Sequence, residues 1–496
     1  MTKFNKKSTL SEKLENHPEA VQNHENGLAF LMDTKTELMT RVLTALMSED
    51  KFYTSDKDAD SELRDTINEV LKTDPEFVLK LAAYARNVMN LRSVPVFLLN
   101  EFANSGCNVV GSRKYVPICV QRVDEITELL AANLQTRKKP AQFIKNGLKP
   151  CFNNFDRYQY GKYNRDGAVK LKDAIFLCHP KADSEERQAI FNDIIGGTLK
   201  PPETWEVAIS TKGASKETWT EILPKMGFMA VLRNLNNFLK HDVDLIPVIK
   251  LLTDEKAVRK SKQFPFRFFS AYIAIQQENN YGKNVTPLLD ALNKAMELSI
   301  NNVQKIPGRT LVLIDVSGSM SSGSISKKSN ITPSDISCLF GAIATKVCEN
   351  TDLFPFGEQT TQVMYSSTNG ILDIIEKIKR VNVGHATYAF LPLEFARQKK
   401  NKYDRVFLFS DMQCYTDNGW YTPHSFAETF IKYQREINPA FLYSVDLTGH
   451  GTAQVPQDAK NVSLLAGWSE RIFDFVTAFE TEKGTMIQAV ESYSNS

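Results

Sequence analysis

The stretch LVLIDVSGSMSSG, residues 311–323, decides the fold. Apolar residues run without a break into Asp315, and serines then alternate with small residues. A short, uninterrupted apolar run ending in an acid is the pattern of a strand buried on both faces of a parallel sheet. Downstream, LFPF, QVMYS, RVFLFSD and AFLYSVDL are also strand-like. Stretches with helical spacing alternate with them: PSDISCLFGAIATKVCEN, ILDIIEKIKR, AFLPLEFARQKK and HSFAETFIKYQREI. Such alternation predicts a doubly wound, Rossmann-like α/β domain. Thr332, Pro333 and Asp335 mark the start of its first long helix.

Upstream the pattern differs. From Thr34 to Ile300 apolar residues recur at spacings of three and four, as in ELMTRVLTALM, PEFVLKLAAYARNVM, VDEITELLAANL, WTEILPKMGFMAVLRNLNNFL and VTPLLDALNKAMELSI. These predict consecutive amphipathic helices, an α-solenoid or helical array without a strict sequence period. The polar connector NNVQKIPGRT separates the two patterns. The expected organisation is a flexible, polar amino terminus over 1–28, a helical domain over 29–304 and an α/β domain over 305–496.

Composition narrows the function. The 496 residues carry a net charge of +2, so a polyanion would need a local patch and not a global field. No window approaches the roughly eighteen apolar residues of a membrane span. The amino terminus lacks the apolar core of a secretory signal. Seven scattered cysteines without a CxxC fit reduced thiols in a cytoplasmic protein.

In an open α/β sheet, ligands gather at the carboxyl ends of the strands. Asp315, Ser317 and Ser319 follow the first strand, Asp411 ends RVFLFSD, and Thr387 sits in the loop NVGHATYAF before a helix. Two carboxylates with three hydroxyls form a hard oxygen set suited to Mg²⁺ or a similar divalent cation. A position would remain for a carboxylate or phosphate from a partner.

Residues 133–172 hold ten Lys or Arg against two acids. Lys138, Lys139, Lys162, Arg165 and Lys170 are among the cations. Phe143, Phe152, Phe155, Tyr158, Tyr160 and Tyr163 are interleaved with them. Cations hold phosphates and aromatic faces stack unpaired bases, so the stretch is a candidate RNA surface.

The DxSxS run with its distant threonine and aspartate resembles the metal-ion-dependent adhesion site of von Willebrand factor A domains, although the usual GGT is here Gly384-His385-Ala386-Thr387. RSVPVFLLNEFA (92–103), KYNRDGAVKLKDAIFLCHP (162–180), PETWEVAIS (202–210), MGFMAVLRNLNNF (226–238), FPFRFFSAY (264–272) and FYTSD (52–56) resemble the TROVE module of the Ro autoantigen family, which precedes such a domain. The resemblance implies a ring of HEAT-like helical repeats closed by the A domain. It implies small structured Y-like RNA on a basic outer surface and single-stranded 3′ ends of misfolded RNA in a central hole. Lys162, Tyr163, Arg165 and His179 fall in the family's RNA-binding stretch, and Arg86, Arg92 and Lys114 are candidates for the hole. A 3′ exoribonuclease is an implied partner, and the chain is expected to be a monomer.

Enzymatic motifs are lacking. There is no nucleophile elbow, P-loop or recognisable acid/base pair. The expected function is RNA binding in quality control without catalysis, or as an adaptor to an exoribonuclease. The alternative is a Mg²⁺-dependent protein-interaction scaffold acting through the A domain.

Overall fold

The computed structural model describes residues 9–44, 57–277, 284–322, 331–416, 425–449, 452–466, 471–482 and 486–493. FYTSD (52–56) lies outside them. By its contacts the chain divides into two compact units. Met1–Met47, Gly227–Lys240 and Asp244–Met486 form the first; Ser48–Met226, His241–Val243 and Ile487–Ser496 form the second.

Among its described residues the first unit contains eight strands: β1 (Ala20–Gln22), β2 (Leu28–Leu31), β3 (Ile306–Asp315), β4 (Cys348–Phe356), β5 (Arg405–Ser410), β6 (Phe441–Asp446), β7 (Thr452–Ala453) and β8 (Val462–Ala466). Five of them make a parallel sheet in the order β4-β3-β5-β6-β8. Residues Leu311–Asp315 and all of β5 are buried, which explains why these strands are apolar runs and not alternating ones. The chain reverses its order of strand addition at β3, so the carboxyl ends of β3 and β5 flank a crevice.

The helix Pro333–Val347 starts as the sequence predicts. The Thr332 hydroxyl accepts from Asp335 N at 3.1 Å, and Asp335 accepts from Thr332 N at 2.8 Å, a reciprocal cap with Pro333 in the first turn. The helix lies so close to β3 that a Cβ on Gly341 would sit 2.4 Å from Ile314 Cδ1.

Three expectations are corrected here. QVMYS makes only an isolated bridge, Leu353 to Val363, and is not a strand of the sheet; the fifth strand is β8, which the sequence scan missed. The amino terminus is not loose from residue 9 onward. Thr9 and Glu12 cap the helix Leu10–Glu15, and β1, β2 and β7 form a small antiparallel sheet. Leu14 and Phe30 join the same buried cluster as Leu311, Leu408 and Met412, so apolar residues spaced through a polar stretch supply the anchor. Finally, the change of pattern near 305 separates element types and not packing units. Helices from Phe228–Arg233 through Thr286–Ser299 belong to the sheet's unit, and the units part between Met226 and Gly227. There WTEILPKMGFMAVLRNLNNFL breaks, because Pro224 cannot donate a backbone N–H and Gly227 does not favour a helix interior.

The second unit is helical throughout its described residues, from Lys57–Thr73 to Lys216–Ile222. Asp74, Asp156, Ser184, Thr204 and Ser215 cap successive helices with their side chains. Consecutive helices are the fold class that the spacing predicts.

Candidate metal centre and nucleic-acid surface

Asp315, at the end of β3, is fully buried. One carboxylate oxygen accepts from Ser317 N at 3.0 Å and the other from the Ser410 hydroxyl at 2.6 Å. The Ser317 and Ser319 hydroxyls stand 3.2 Å apart. Asp411 is buried at the end of β5, and its Oδ1 accepts from Gln413 N at 3.0 Å. Thr387 is buried in the loop between them. Gly318 N donates to His385 O at 3.2 Å and Tyr415 N to Thr387 O at 2.9 Å, so the three loops carrying the five predicted ligands are tied together. His385 is exposed and Gly384 has a positive φ of 78°.

Burial, with the neighbouring charge of Asp411, pushes the Asp315 carboxyl up to about 7. Two buried carboxylates that repel one another, set among neutral hydroxyls, are an anionic oxygen cup that a small divalent cation would neutralise. Among the described residues no group of three or more His, Cys, Asp or Glu side chains is arranged to hold a metal, so any ion here relies on the hydroxyls. Sequence reasoning missed Asp446, which ends β6 in register with Ser410. It is buried, its Oδ2 has no hydrogen-bond partner, and burial with Asp411 nearby pushes it up to about 7. The acid closing AFLYSVDL, placed like Asp315 and Asp411 at a strand end, was the available signal.

The predicted RNA residues lie in the second unit and separate into groups. Around Tyr163, the Arg122 guanidinium lies 4.6 Å from the ring centroid, Lys162 lies 5.7 Å and Arg165 lies 5.9 Å. Tyr163 is half-buried and Arg165 exposed. Lys162 also pairs with Glu206 at 3.4 Å, and Arg122 with Asp124 at 2.9 Å. Arg122 was missed; it precedes a helix and carries no sequence signal beyond its charge. His179 is exposed in a left-handed conformation, φ 52°, at the end of Leu171–Cys178. Lys138 and Lys139 are exposed in the loop after Val123–Thr136. Lys170 is exposed and pairs with Asp166 at 2.7 Å. Lys114 lies over the Tyr115 ring and lines a cavity with Glu76, Lys80, Ile118, Glu491 and Tyr493.

Arg86 is a correction. It is 9% exposed and grips both oxygens of the buried Glu125, at 2.8 and 3.1 Å, so it is a core ion pair and not a cation offered to a ligand. Arg92 is half-exposed but faces Asp124, Glu125 and Glu128 at 2.6, 3.5 and 3.6 Å, and its charge is already answered. The interleaved aromatics are corrected too. Phe152, Phe155 and Tyr160 are core residues, while Tyr158 and Tyr163 reach solvent. Phe176, 51% exposed, is an aromatic the sequence scan passed over.

Family models match most of the carboxy-terminal half. The TROVE domain matches residues 197–306, and the Ro60 vWA domain matches residues 309–480. The chain belongs to the Ro60/TROVE family. It is 21% identical over 446 residues to the RNA-binding protein RO60 of Deinococcus radiodurans, covering 80% of this chain and 83% of that protein. The crystal structure of the Deinococcus radiodurans RO (RSR) protein superposes with a TM-score of 0.66 at 17% identity, covering 91% of this chain and all of that one, a likeness of fold. Telomerase protein component 1 of Rattus norvegicus is 24% identical over 389 residues, but the chain spans only 14% of its length. The TROVE match stops short of Arg86 through His179. In this Ro60/TROVE chain the residues proposed for RNA therefore rest on their own geometry.

Proposed function

We propose that this chain is an RNA-binding component of a ribonucleoprotein with no catalysis of its own. The observation that carries this reading is the group at Tyr163, where three cations stand within 4.6 to 5.9 Å of one half-open aromatic ring. Cations held over an aromatic ring offer charge to phosphates, and a ring face left open beside them offers stacking to an unpaired base. Lys138, Lys139, Lys170 and His179 are exposed and extend the basic character of the stretch. The Deinococcus relative, named as an RNA-binding protein and aligned over most of both chains, supports the same reading.

The finer division of labour follows the family resemblance. Structured Y-like RNA binds the basic surface, single-stranded 3′ ends of misfolded RNA enter a central hole, and a 3′ exoribonuclease is the protein partner in cytoplasmic RNA quality control. Of the cations offered to the hole, this reading retains Lys114, beside the cavity it lines, and gives up the buried Arg86. In the α/β unit, Asp315, Ser317, Ser319, Thr387 and Asp411 would hold Mg²⁺, which would supply positive charge for a partner's carboxylate or phosphate. The exposure of Ser319 beside the buried Ser317 supports a cup open on one side, and with it a second role as a Mg²⁺-dependent protein-interaction site.

The test is a salt titration of binding to a short single-stranded RNA and to a small structured RNA. Release of counterions makes the logarithm of the single-strand affinity fall by roughly 0.7 per phosphate neutralised for each decade of salt. A flat response, or no binding at low salt, removes the RNA reading and leaves the scaffold.

A further inference from the structure

The segment QNHENGL, residues 22–28, turns sharply between β1 and β2. Its side chains and backbone are committed to one target, the loop that follows Asp411. Asn23 Nδ2 donates to Cys414 O at 2.7 Å, His24 N to Gln413 Oε1 at 2.9 Å, and Leu28 N to the Thr416 hydroxyl at 2.7 Å. Asn23 Oδ1 meanwhile accepts from Glu25 N at 3.0 Å and Gly27 N at 2.9 Å, which fixes the turn itself. The approach is so close that a Cβ on Gly27 would stand 2.1 Å from Cys414 O. Only glycine fits.

The loop has reason to need an external hold. Met412 has a left-handed φ of 62°, a strained conformation for a long side chain. The Ser410 hydroxyl accepts from Met412 N at 3.1 Å, and Gln454 donates to Met412 O at 2.5 Å. From this loop Tyr415 N reaches Thr387 O at 2.9 Å, and from the Thr387 loop His385 O receives Gly318 N at 3.2 Å. An unbroken run of hydrogen bonds thus joins the amino-terminal turn to all three loops that carry the candidate ligands.

We infer that Asn23–Leu28 is a positioning strap for the divalent-cation site, setting Asp411 and Thr387 through its hold on Cys414, 391 residues from Asn23 in sequence. The strap rests on the metal reading above. Outer groups that orient first ligands are commonly worth roughly tenfold to a hundredfold in metal affinity. In the full chain, Asn23→Ala weakens Mg²⁺ binding about tenfold by calorimetry. Thr416→Val, which removes only the acceptor for Leu28 N, weakens it by a smaller factor. Tyr433→Phe supplies the control: it deletes buried hydrogen bonds to Asn401 O and Tyr403 N in the same unit, lowers the melting temperature and leaves Mg²⁺ affinity unchanged. Amide exchange over residues 20–31 reports whether the strap has been released.

A released strap with wild-type affinity overturns the inference, and so does an equal loss of affinity in Tyr433→Phe. A wild-type chain that takes up no Mg²⁺ removes the metal reading itself, and the strap with it. Wild-type binding with unaltered binding in both strap variants removes the strap alone.

Discussion

At the end of β3 both oxygens of Asp315 are engaged by groups of its own domain, and every neighbouring loop is bound to the next. Around Tyr163 the cations are partly exposed and divide their attention between the ring and nearby acids. The first region is a rigid, buried arrangement of few groups, and the second is a shallow surface of many. In the first, one residue can abolish the site. In the second, charge is spread and single losses are small. Burial therefore separates the cations of the helical unit into structural ones and exposed ones open to a ligand more surely than their position in the sequence does.

That contrast is broken most directly at Arg86. Arg86→Ala strips the buried Glu125 of its closest cation and leaves only Arg92 at 3.5 Å and two backbone N–H groups to answer its charge. Burial already pushes Glu125 above its ordinary range, with Arg86 pulling against that shift. Removing one partner of a buried pair costs about 3–5 kcal/mol, and chemical denaturation should show it. Near-wild-type stability with weakened RNA binding would return Arg86 to the ligand surface.

Asp315→Ala is the next largest effect and concerns the other region. Wild type in Mg²⁺ at a hundredfold excess over Kd gains about 2.7 kcal/mol, and the variant gains none. RNA affinity changes little. A full loss of RNA binding in Asp315→Ala would join the two regions into one site.

In the helical unit the matching change is Lys162→Ala, Arg165→Ala and His179→Ala together. Binding of structured RNA falls by at least about tenfold, roughly 1.4 kcal/mol, and the salt slope becomes shallower. Melting temperature is retained, since all three are at least partly exposed. An unchanged affinity would empty this patch of its role.

The same contrast explains what could be read from the chain. LVLID and RVFLFSD announce a parallel sheet because strands buried on both faces must be apolar, and an acid at such a strand end stands where ligands gather in open α/β sheets. The buried strand-end positions of Asp315 and Asp411 were legible for that reason. Asp446 follows the same rule and was overlooked because it belongs to no repeated motif. Helical spacing revealed the helices of the second unit, but not where that unit ends or which of its rings and cations face outward. Phe152 and Tyr160 lie in the basic stretch and point inward, and Arg86 pairs with a glutamate 39 residues away. The amino-terminal strap was illegible because its partner loop is nearly 400 residues distant and the contacts are largely to backbone.

The last expected effect lies inside the cup itself and depends on pH. Asp446 in the folded chain holds its proton up to about 7, against an ordinary value of 3.8, because burial and Asp411 disfavour its charge. The folded state then binds more protons than the unfolded one between those values. Stability from this group is complete below about pH 4 and is lost as pH rises toward 7. Asp446→Asn removes the titration while keeping the side chain's shape. In EDTA it melts a few degrees above wild type at pH 8, and the advantage shrinks as the pH falls toward 4. Excess Mg²⁺ narrows the gap at pH 8, since a cation near Asp411 offsets the charge that burial penalises. A gap that ignored both pH and Mg²⁺ would mean that Asp446 is electrostatically separate from the cup, and the carboxylate ends of β5 and β6 would have to be read as independent.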